Sequence, residues 1–336
     1  MKIIISRIDN MGDVVLTLPM AGIIKEKYPD SYIFFLGKNY TKPVIELSKY
    51  IDKFISWDDL KGKDKNEKIK FFKDLNTDII LHVFPDKEIA NIAKKAGIKD
   101  RIGTSRRIYH LLTCNRKVKL KRKNSSLHEA QLNIQLLKLL DIDVNLDINQ
   151  IPNYYGFFNN YKLPDRFSNM IEKNKFNLIL HPKSKGSARE WGVDNYIKLI
   201  DLLPHDKYKI FITGSKDEKK LVQDIFYYHK NKVTDLMGVL SLKEFISFIN
   251  ACDGLIAAST GPLHIAAAFG KKTIGLYAPM KPIFPTRWAP LGENAHYIVI
   301  DKSCNKCRKK NVVCECIQSI TPENVYKKLL EINQTI

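Results

Sequence analysis

The sequence lacks any apolar run long enough to cross a bilayer. A membrane-spanning helix needs about 20 consecutive apolar residues, and charged residues interrupt the apolar runs of this chain well before that length. The first ten residues also lack the continuous apolar core of a signal peptide, because Arg7 and Asp9 interrupt it. We therefore expect a soluble protein that stays in the cytoplasm.

Cysteines and nucleotide-binding glycine motifs are also scarce. Six cysteines in 336 residues are too few for a disulfide framework. Neither the G-x-G-x-x-G pattern of dinucleotide-binding enzymes nor the G-x-x-x-x-G-K-[ST] pattern of a P-loop occurs, and the turn after the first expected strand has one glycine, Gly12. A nicotinamide-dependent enzyme on a Rossmann fold is therefore a weak alternative.

Acidic residues are outnumbered: 55 Lys and Arg stand against 36 Asp and Glu, which gives a formal charge of +19. Such a surplus favours an anionic partner, which could be nucleic acid, a membrane surface or a phosphorylated ligand. No helix-turn-helix, RNP-like or zinc-finger pattern is present, so nucleic acid is not expected. A non-catalytic polyanion-binding protein remains a second alternative.

Length and pattern predict two α/β domains. Short apolar runs rich in β-branched residues alternate with helical segments, which is typical of parallel sheets covered on both faces. The expected strands are residues 2–6, 31–37, 53–56 and 78–83 in the first half and 176–181, 208–214, 254–257 and 272–277 in the second. One helix is expected over 12–28, and a linker within 145–164. We expect two Rossmann-like domains, 1–160 and 161–320, facing a central cleft, followed by a C-terminal helix over 321–336.

The first candidate site is the turn after the first strand, which contains Arg7, Asp9, Gly12 and Asp13. Ligands of open α/β sheets lie at the carboxyl ends of strands, so this turn is expected to face a ligand. Asp13 lies in the first helical turn, where an acidic residue can also simply complement the helix dipole.

Two further strand-to-loop turns carry polar residues suited to a phosphate. The segment Ala258–His264 contains Thr260 as a candidate N-cap and Pro262 in the first helical turn, and helix N-termini offer unpaired N–H groups to anions. The segment His181–Trp191 holds Lys183, Ser184 and Arg189 in one loop, where an arginine fork could bind a diphosphate. A capped structural helix and a solvated basic loop are the alternatives.

In this order, the motifs resemble glycosyltransferase family 9, the ADP-heptose:lipopolysaccharide heptosyltransferases. The resemblance covers nearly the whole chain and rests on four motifs in register. They are Arg-x-Asp-x-x-Gly-Asp-x-Val-Leu-Thr-x-Pro ending at Pro19, His-Pro-…-Arg-x-Trp ending at Trp191, Leu-Met-Gly-x-Leu-Ser-Leu over 236–242, and Ser-Thr-Gly-Pro-x-His-Ile-Ala-Ala-Ala over 259–268, the last followed by Gly275-Leu-Tyr and Arg287-Trp.

The resemblance implies a GT-B fold and an inverting transfer that needs no metal or other cofactor. Asp13 matches the proposed catalytic base, and Arg189 the basic residue at the donor diphosphate. The implied donor-binding residues are Lys183, Ser184, Leu240, Ser259, Thr260, Gly261, Pro262 and His264. Many members have Asp at position 259, so Ser259 removes or replaces one donor contact. The expected function is transfer of a heptose from ADP-heptose to the inner core of lipopolysaccharide or lipooligosaccharide; another nucleotide sugar or a protein acceptor is the alternative.

A basic stretch is the candidate acceptor side. Residues 94–123 contain twelve Lys or Arg and one acid, Asp100. In the family this half of the chain faces the acceptor, which makes Gly12, Arg101, Arg106, Arg107 and His128 the candidate acceptor-binding residues. A phosphorylated lipopolysaccharide core and the inner leaflet are both anionic, so we expect peripheral attachment to the inner face of the inner membrane. A merely solvated basic face is the alternative.

Four of the six cysteines fall within thirteen residues, as Cys304-x2-Cys307-x6-Cys314-x-Cys316. Their spacing is compatible with structural zinc or iron. The final C-x-C pair is tight for a zinc knuckle, and catalysis in the family needs no metal. Reduced packing thiols are the default interpretation, and a structural metal stays open.

Overall fold

The computed structural model describes residues 1–120, 122, 125–280, 284–301, 304, 307 and 314–334. The chain divides into two compact domains, Met1–Phe158 and Asn159–Ile336. Each contains a six-stranded parallel sheet with helices in the connections between strands.

The first domain is built on strands that begin with the most buried run of the sequence. Ile3, Ile4 and Ile5 are completely buried, as expected for a central parallel strand covered on both faces. The strands are β1 Lys2–Ser6, β2 Tyr32–Gly37, β3 Lys53–Ser56, β4 Ile79–His82, β5 Asp100–Thr104 and β6 Arg116–Val118. The helices are α1 Met11–Val15, α2 Pro19–Lys27, α3 Lys42–Ile45, α4 Trp57–Lys61, α5 Lys65–Asp74, α6 Lys87–Lys95, α7 Ile108–Thr113 and α8 Glu129–Ile134, with 3-10 turns at Asn39–Thr41, Gln135–Leu140 and Ile151–Tyr154.

The single helix expected over 12–28 is two helices, α1 and α2. Pro19 has no N–H and cannot continue the hydrogen bonding of α1, but its fixed φ suits the first position of α2. Part of the expected linker belongs to the first domain. The 3-10 turn Ile151–Tyr154 packs on α2 so closely that a Cβ at Gly22 would lie 2.4 Å from the Tyr154 carbonyl oxygen.

The second domain repeats the same plan. Its strands are β7 Phe176–His181, β8 Tyr208–Ile212, β9 Val233–Asp235, β10 Gly254–Ala258, β11 Lys272–Tyr277 and β12 Ala295–Val299. Its helices are α9 Asp165–Ser168, α10 Val193–Leu202, α11 Gln223–His229, α12 Leu242–Ala251, α13 Gly261–Ala268, α14 Pro285–Trp288, α15 Glu315–Gln318 and α16 Pro322–Gln334, with a 3-10 turn at Lys219–Val222. The helix α16 packs against α10, within this domain.

Both sheets have the doubly wound strand order 3-2-1-4-5-6. The first runs β3-β2-β1-β4-β5-β6, and the second, read from its other edge, runs β9-β8-β7-β10-β11-β12. The order of the chain therefore reverses between β1 and β4 and between β7 and β10, which fixes where each domain is expected to bind a ligand.

Candidate active site

The turns singled out by sequence occupy the reversal point of their own domain. The turn with Arg7 and Asp13 follows β1, which pairs with β4 as Ser6 opposite His82. In the second domain, the loop after β7 and the turn after β10 leave from the neighbouring pair His181 and Ala257. Ligands of doubly wound sheets bind outside the carboxyl ends of the strands at these points.

Asp13 lies in a buried charge cluster built around Arg7. The Arg7 guanidinium, 3% exposed, binds the Asp9 carboxylate through Nε and Nη2, at 2.7 and 2.9 Å, and also donates from Nη2 to Asp13. Burial raises the pKa of Asp13 to about 6, which outweighs the opposite effect of the Arg7 charge. A carboxylate with this pKa is a usable proton acceptor near neutral pH.

Helix α8 supplies the other side of this cluster. Arg7 Nη1 lies 3.4 Å from a Glu129 carboxylate oxygen and donates to the Asn133 side-chain oxygen at 3.2 Å. The Asn133 side-chain nitrogen donates to Thr17 Oγ1 at 3.1 Å, and Thr17 Oγ1 donates to the Asp13 carbonyl at 2.8 Å. Glu129 also pairs with Arg122. Nothing local in the sequence connects Glu129 or Asn133 with Arg7, since they lie more than a hundred residues beyond it.

Two of the predicted acceptor residues lie on this side of the first domain. Gly12 is the second residue of α1, beside Asp13. His128 is buried and caps α8: its Nδ1 accepts a hydrogen bond from the Ala130 N–H at 3.2 Å, and its own N–H donates to Gln131 Oε1 at 3.1 Å. A contact of His128 with an acceptor remains a prediction.

The three predicted acceptor arginines do not share one environment. Arg101 donates to the main-chain carbonyls of Thr113, at 2.7 Å, and Ile98, so its guanidinium ties β5 to the end of α7. Arg106 and Arg107 are exposed in the turn that follows β5, at the same sheet edge as the Asp13 turn. Of the basic stretch, Lys121 and Lys123 lie outside the described residues.

Glu190 organises the loop after β7. It accepts hydrogen bonds from the N–H and the hydroxyl of Ser184, both at 3.1 Å, and forms an ion pair with Lys183. Lys185 follows with a left-handed backbone, φ 47°, and its N–H donates to Glu218 at 3.0 Å. The sequence predicts no role for Glu190 or Glu218, because nothing local in it shows that a carboxylate shapes this loop.

The helix α13 begins at a buried, unused hydroxyl. Thr260 is the N-cap residue, yet its Oγ1 makes no hydrogen bond among the described residues. The predicted Gly261 and Pro262 form the first turn of α13, and His264 lies buried one turn further on. The hydroxyl of Ser259 interacts with that of Tyr277. The predicted Leu240 is half-buried between β9 and α12, at the same sheet edge.

Arg189 lies at the end of the loop after β7 and contacts another part of the second domain. Its Nε and Nη2 donate to the Cys307 main-chain carbonyl, at 3.0 and 2.8 Å. The next residue but one, Trp191, is completely buried and donates from Nε1 to the Ile320 carbonyl at 2.8 Å. Trp191 therefore anchors the end of the loop that carries Arg189.

Comparisons with known proteins identify relatives of this chain among glycosyltransferases. A candidate glycosyltransferase of Haemophilus influenzae is 26% identical over 93% of this chain and 92% of its own length. Lipooligosaccharide heptosyltransferase 2 of Campylobacter jejuni is 28% identical over 52% of this chain. The matched part spans 58% of that enzyme's length.

Solved structures share the fold at low identity. A family 9 glycosyltransferase from Veillonella parvula has a TM-score of 0.81 and 20% identity, over 98% of this chain and 96% of that chain. ADP-heptose lipopolysaccharide heptosyltransferase II of Escherichia coli has a TM-score of 0.76 and 17% identity, over 99% and 98%. The expected GT-B fold class is thus confirmed. Within the described residues, no helix combines the length and apolarity that a bilayer crossing demands.

The family comparison is the most specific of these results. The sequence model of glycosyltransferase family 9 (heptosyltransferase) matches residues 73–318 of the 336. The match includes the second-domain loops described above and the helix α8 that supports Asp13. The chain therefore belongs to glycosyltransferase family 9, the heptosyltransferase family, and is a glycosyltransferase.

Proposed function

We propose that this protein transfers a heptose from ADP-heptose to the inner core of lipopolysaccharide or lipooligosaccharide, with inversion at the anomeric carbon. The observation that carries the proposal is Asp13, a family-motif carboxyl group whose pKa is raised to about 6 at the reversal point of the first sheet. Several of the relatives are named as heptosyltransferases, and one structural relative was solved with ADP.

In this mechanism, the acceptor hydroxyl attacks the anomeric carbon while Asp13 takes its proton. General-base assistance of this kind contributes roughly 10²–10⁴-fold. Arg7 holds the Asp13 carboxylate by an ion pair, and Arg7 is itself fixed by Asp9 and Asn133. The base therefore needs little reorganisation when the reaction occurs.

The second domain would bind the donor and stabilise the leaving diphosphate. Negative charge grows on the diphosphate as the glycosidic bond to the nucleotide breaks. Positive charge and hydrogen-bond donors come from Arg189, Lys183 and the N-terminus of α13 at Thr260. In other transferases a divalent cation stabilises this negative charge. The buried Thr260 hydroxyl gains a hydrogen-bond partner when a phosphate oxygen binds.

A membrane-presented acceptor fits an exposed feature of the first domain. Helix α7 exposes Ile108, Leu111 and Leu112, by 83%, 54% and 73%, directly after the exposed Arg106 and Arg107. Exposed apolar side chains flanked by cations favour binding at the surface of an anionic bilayer. We therefore infer a cytoplasmic protein attached peripherally to the inner leaflet, where its anionic acceptor would be presented.

One observation keeps a different donor sugar as a second candidate. Position 259 is Ser, where the family pattern often has Asp, and its hydroxyl interacts with Tyr277.

The decisive experiment compares ADP-heptose, ADP and other nucleotide sugars by thermal shift of the purified chain. A ligand at 100 times its Kd adds about 2.7 kcal/mol of stability. Stabilisation by ADP-heptose together with mass-detected transfer to a heptose-deficient core supports the proposal; transfer only from another nucleotide sugar would replace the donor.

A further inference from the structure

Arg7 divides its guanidinium between two elements of the first domain. Nε and Nη2 donate to the Asp9 carboxylate, at 2.7 and 2.9 Å, and Nη2 also donates to Asp13. The remaining nitrogen, Nη1, is directed at α8, where it lies 3.4 Å from a Glu129 carboxylate oxygen and donates to the Asn133 side-chain oxygen at 3.2 Å. One buried cation therefore binds both the candidate base and a carboxylate on a helix far away in sequence.

A second arginine contacts the same two oxygen atoms on α8. Arg122 forms an ion pair with Glu129 through Nη1 and donates from Nη2 to the Asn133 side-chain oxygen at 3.1 Å. Both guanidinium groups thus share Glu129 Oε1 and Asn133 Oδ1. The Glu129 side chain is 2% exposed, whereas that of Arg122 is 25% exposed. The buried charge of Glu129 is therefore shared between two cations, one of which reaches the surface.

The charges of this cluster do not balance. It contains the three carboxyl groups of Asp9, Asp13 and Glu129 and the two guanidinium groups of Arg7 and Arg122. With every group ionised, the cluster has one negative charge in excess. An uncompensated charge is costly in a buried site, so uptake of one proton is favoured there. When Asp13 accepts a proton, the cluster becomes neutral.

Two further titratable side chains adjoin these groups. The Tyr40 hydroxyl donates to the Asp9 main-chain carbonyl at 2.7 Å. Burial and the nearby carboxylates raise the pKa of Tyr40, which therefore stays neutral. His128, which precedes Glu129, accepts the Ala130 N–H at Nδ1, so this nitrogen carries no proton and the imidazole is neutral. Neither side chain offsets the excess negative charge.

We propose that Glu129 is a positioning residue that keeps Asp13 a strong proton acceptor by competing with it for the Arg7 guanidinium. Arg122 limits this effect, because it neutralises part of the Glu129 charge. The use of Asp13 as the catalytic base rests on the proposed function, whereas the electrostatic link between Glu129 and Asp13 does not.

Two substitutions that each remove one charge should act in opposite directions. Glu129→Gln keeps the shape of the side chain and makes the ionised cluster neutral, so Asp13 should titrate at a pH lower by about one unit. Arg122→Gln leaves two negative charges in excess, so Asp13 should titrate at a higher pH. Glu129→Asp keeps the charge and should restore most of the wild-type value. A purely structural role for these residues would lower stability without moving the titration in opposite directions.

The titration is measured on the purified full chain by NMR of isotope-labelled aspartate carboxyl groups. The Asp13 resonance is assigned by its loss in Asp13→Asn, and circular dichroism verifies that each variant is folded. Lys138→Gln is the matched control for Arg122→Gln. It removes the same charge from an exposed side chain in the 3-10 turn after α8, and should leave the Asp13 titration unchanged.

A double-mutant cycle tests whether Arg122 acts through Glu129. Arg122→Gln should shift the Asp13 titration less in the Glu129→Gln background than in the wild type. An equal shift in both backgrounds overturns the part assigned to Arg122. If Glu129→Gln fails to fold, Glu129→Asp and Arg122→Gln still test the link, since only Arg122→Gln should then move the titration.

The pH dependence of kcat/KM for transfer separates this inference from the proposed function. Profiles that follow the NMR titration in every variant support both. An Asp13 titration that is equal in the wild type, Glu129→Gln and Arg122→Gln, or that moves the same way in both variants, overturns the positioning role of Glu129. If the NMR titrations move apart and the kcat/KM profiles do not follow them, Asp13 is not the base, while the link between Glu129 and Asp13 stands.

Discussion

Arg7 and Asp13 form an ion pair in the turn after β1. Such a pair ordinarily lowers the pKa of a carboxyl group, yet the pKa of Asp13 is raised to about 6. The charge of the Arg7 guanidinium is shared among several carboxylates, since it also binds Asp9 and lies near Glu129. Burial opposes ionisation of Asp13, and the two neighbouring carboxyl groups add to that effect. Arg7 thus orients the carboxylate without making it too weak a base for proton transfer near neutral pH.

Replacing Asp13 tests the base directly. Asp13→Asn keeps the size and polarity of the side chain but cannot accept the acceptor's proton, so we expect turnover to fall at least about 10²-fold. ADP affinity and the circular dichroism spectrum should match the wild type, because the donor residues lie in the other domain. Residual turnover above about a tenth of wild type would remove Asp13 from the role of base.

The pH dependence of the wild-type enzyme is a second test. Protonated Asp13 cannot act as a base, so kcat/KM should rise with pH through about 6 and level off above it. The profile of kcat/KM reports the pKa values of the free enzyme. An inflection near 3.8, the ordinary pKa of an aspartic acid side chain, would contradict the raised pKa of Asp13.

The sequence predicts the central strands better than the edge strands. Apolar runs identified β1, β2, β4, β7, β8, β10 and β11, because strands buried on both faces leave continuous hydrophobic segments. The edge strand β3 was also predicted. Three unpredicted strands, β6, β9 and β12, lie at sheet edges, where strands are short or half-exposed. The fourth, β5, begins with the charged pair Asp100-Arg101, so its pattern resembles a loop.

The candidate site shows the same division between local and distant information. Sequence patterns indicated the turns at Asp13 and Thr260, since a glycine or a helix cap marks them locally. The contacts of Arg7 with Glu129 and of Arg189 with Cys307 join residues 122 and 118 positions apart. Only the folded chain brings these residues together, so their roles as supports were not predicted.

Thr260 offers a test in which binding and stability change in different directions. Its hydroxyl is buried with no hydrogen-bond partner in the described structure, so Thr260→Val should leave stability unchanged or raise it. The same variant should bind ADP more weakly, because a phosphate oxygen loses a donor. Thr273, in β11, also has a buried hydroxyl without a described partner, which makes Thr273→Val the matched control. Denaturant unfolding and calorimetry of both variants check this, and equal ADP affinity in all three proteins would contradict the phosphate contact.

Arg189 tests whether the donor site needs a fork or only a charge. Arg189→Ala should weaken ADP binding and slow transfer, since the leaving diphosphate loses a cation. Arg189→Lys should rescue only partly, because an ammonium cannot hold the Cys307 carbonyl through two N–H groups and a phosphate at the same time. Calorimetric Kd values for ADP, with kcat from the transfer assay, separate binding from catalysis. A Lys variant equal to the wild type would show that a point charge is sufficient.

The surface formed by α7 and the turn before it carries the exposed cations Arg106 and Arg107. Acceptor binding should fall steeply with salt, because exposed charges are screened over about 10 Å at 0.1 M ionic strength. The double variant Arg106→Gln, Arg107→Gln should reproduce that loss at low salt and raise the acceptor KM far more than the donor KM. Arg101 is a poor test by comparison, since its guanidinium holds main-chain carbonyls and its loss would disturb β5.

The apolar part of this surface is tested separately with vesicles. The Leu112 side chain is 73% exposed, so Leu112→Ser should leave the stability of the protein unchanged. The same substitution should reduce flotation of the protein with vesicles that contain anionic lipid. Tyr227 in the second domain is 81% exposed, so Tyr227→Ser is the control and should float like the wild type. Unchanged flotation in Leu112→Ser, together with an unchanged acceptor KM and salt dependence in the double arginine variant, would mean that this surface is only solvated and that the acceptor binds elsewhere.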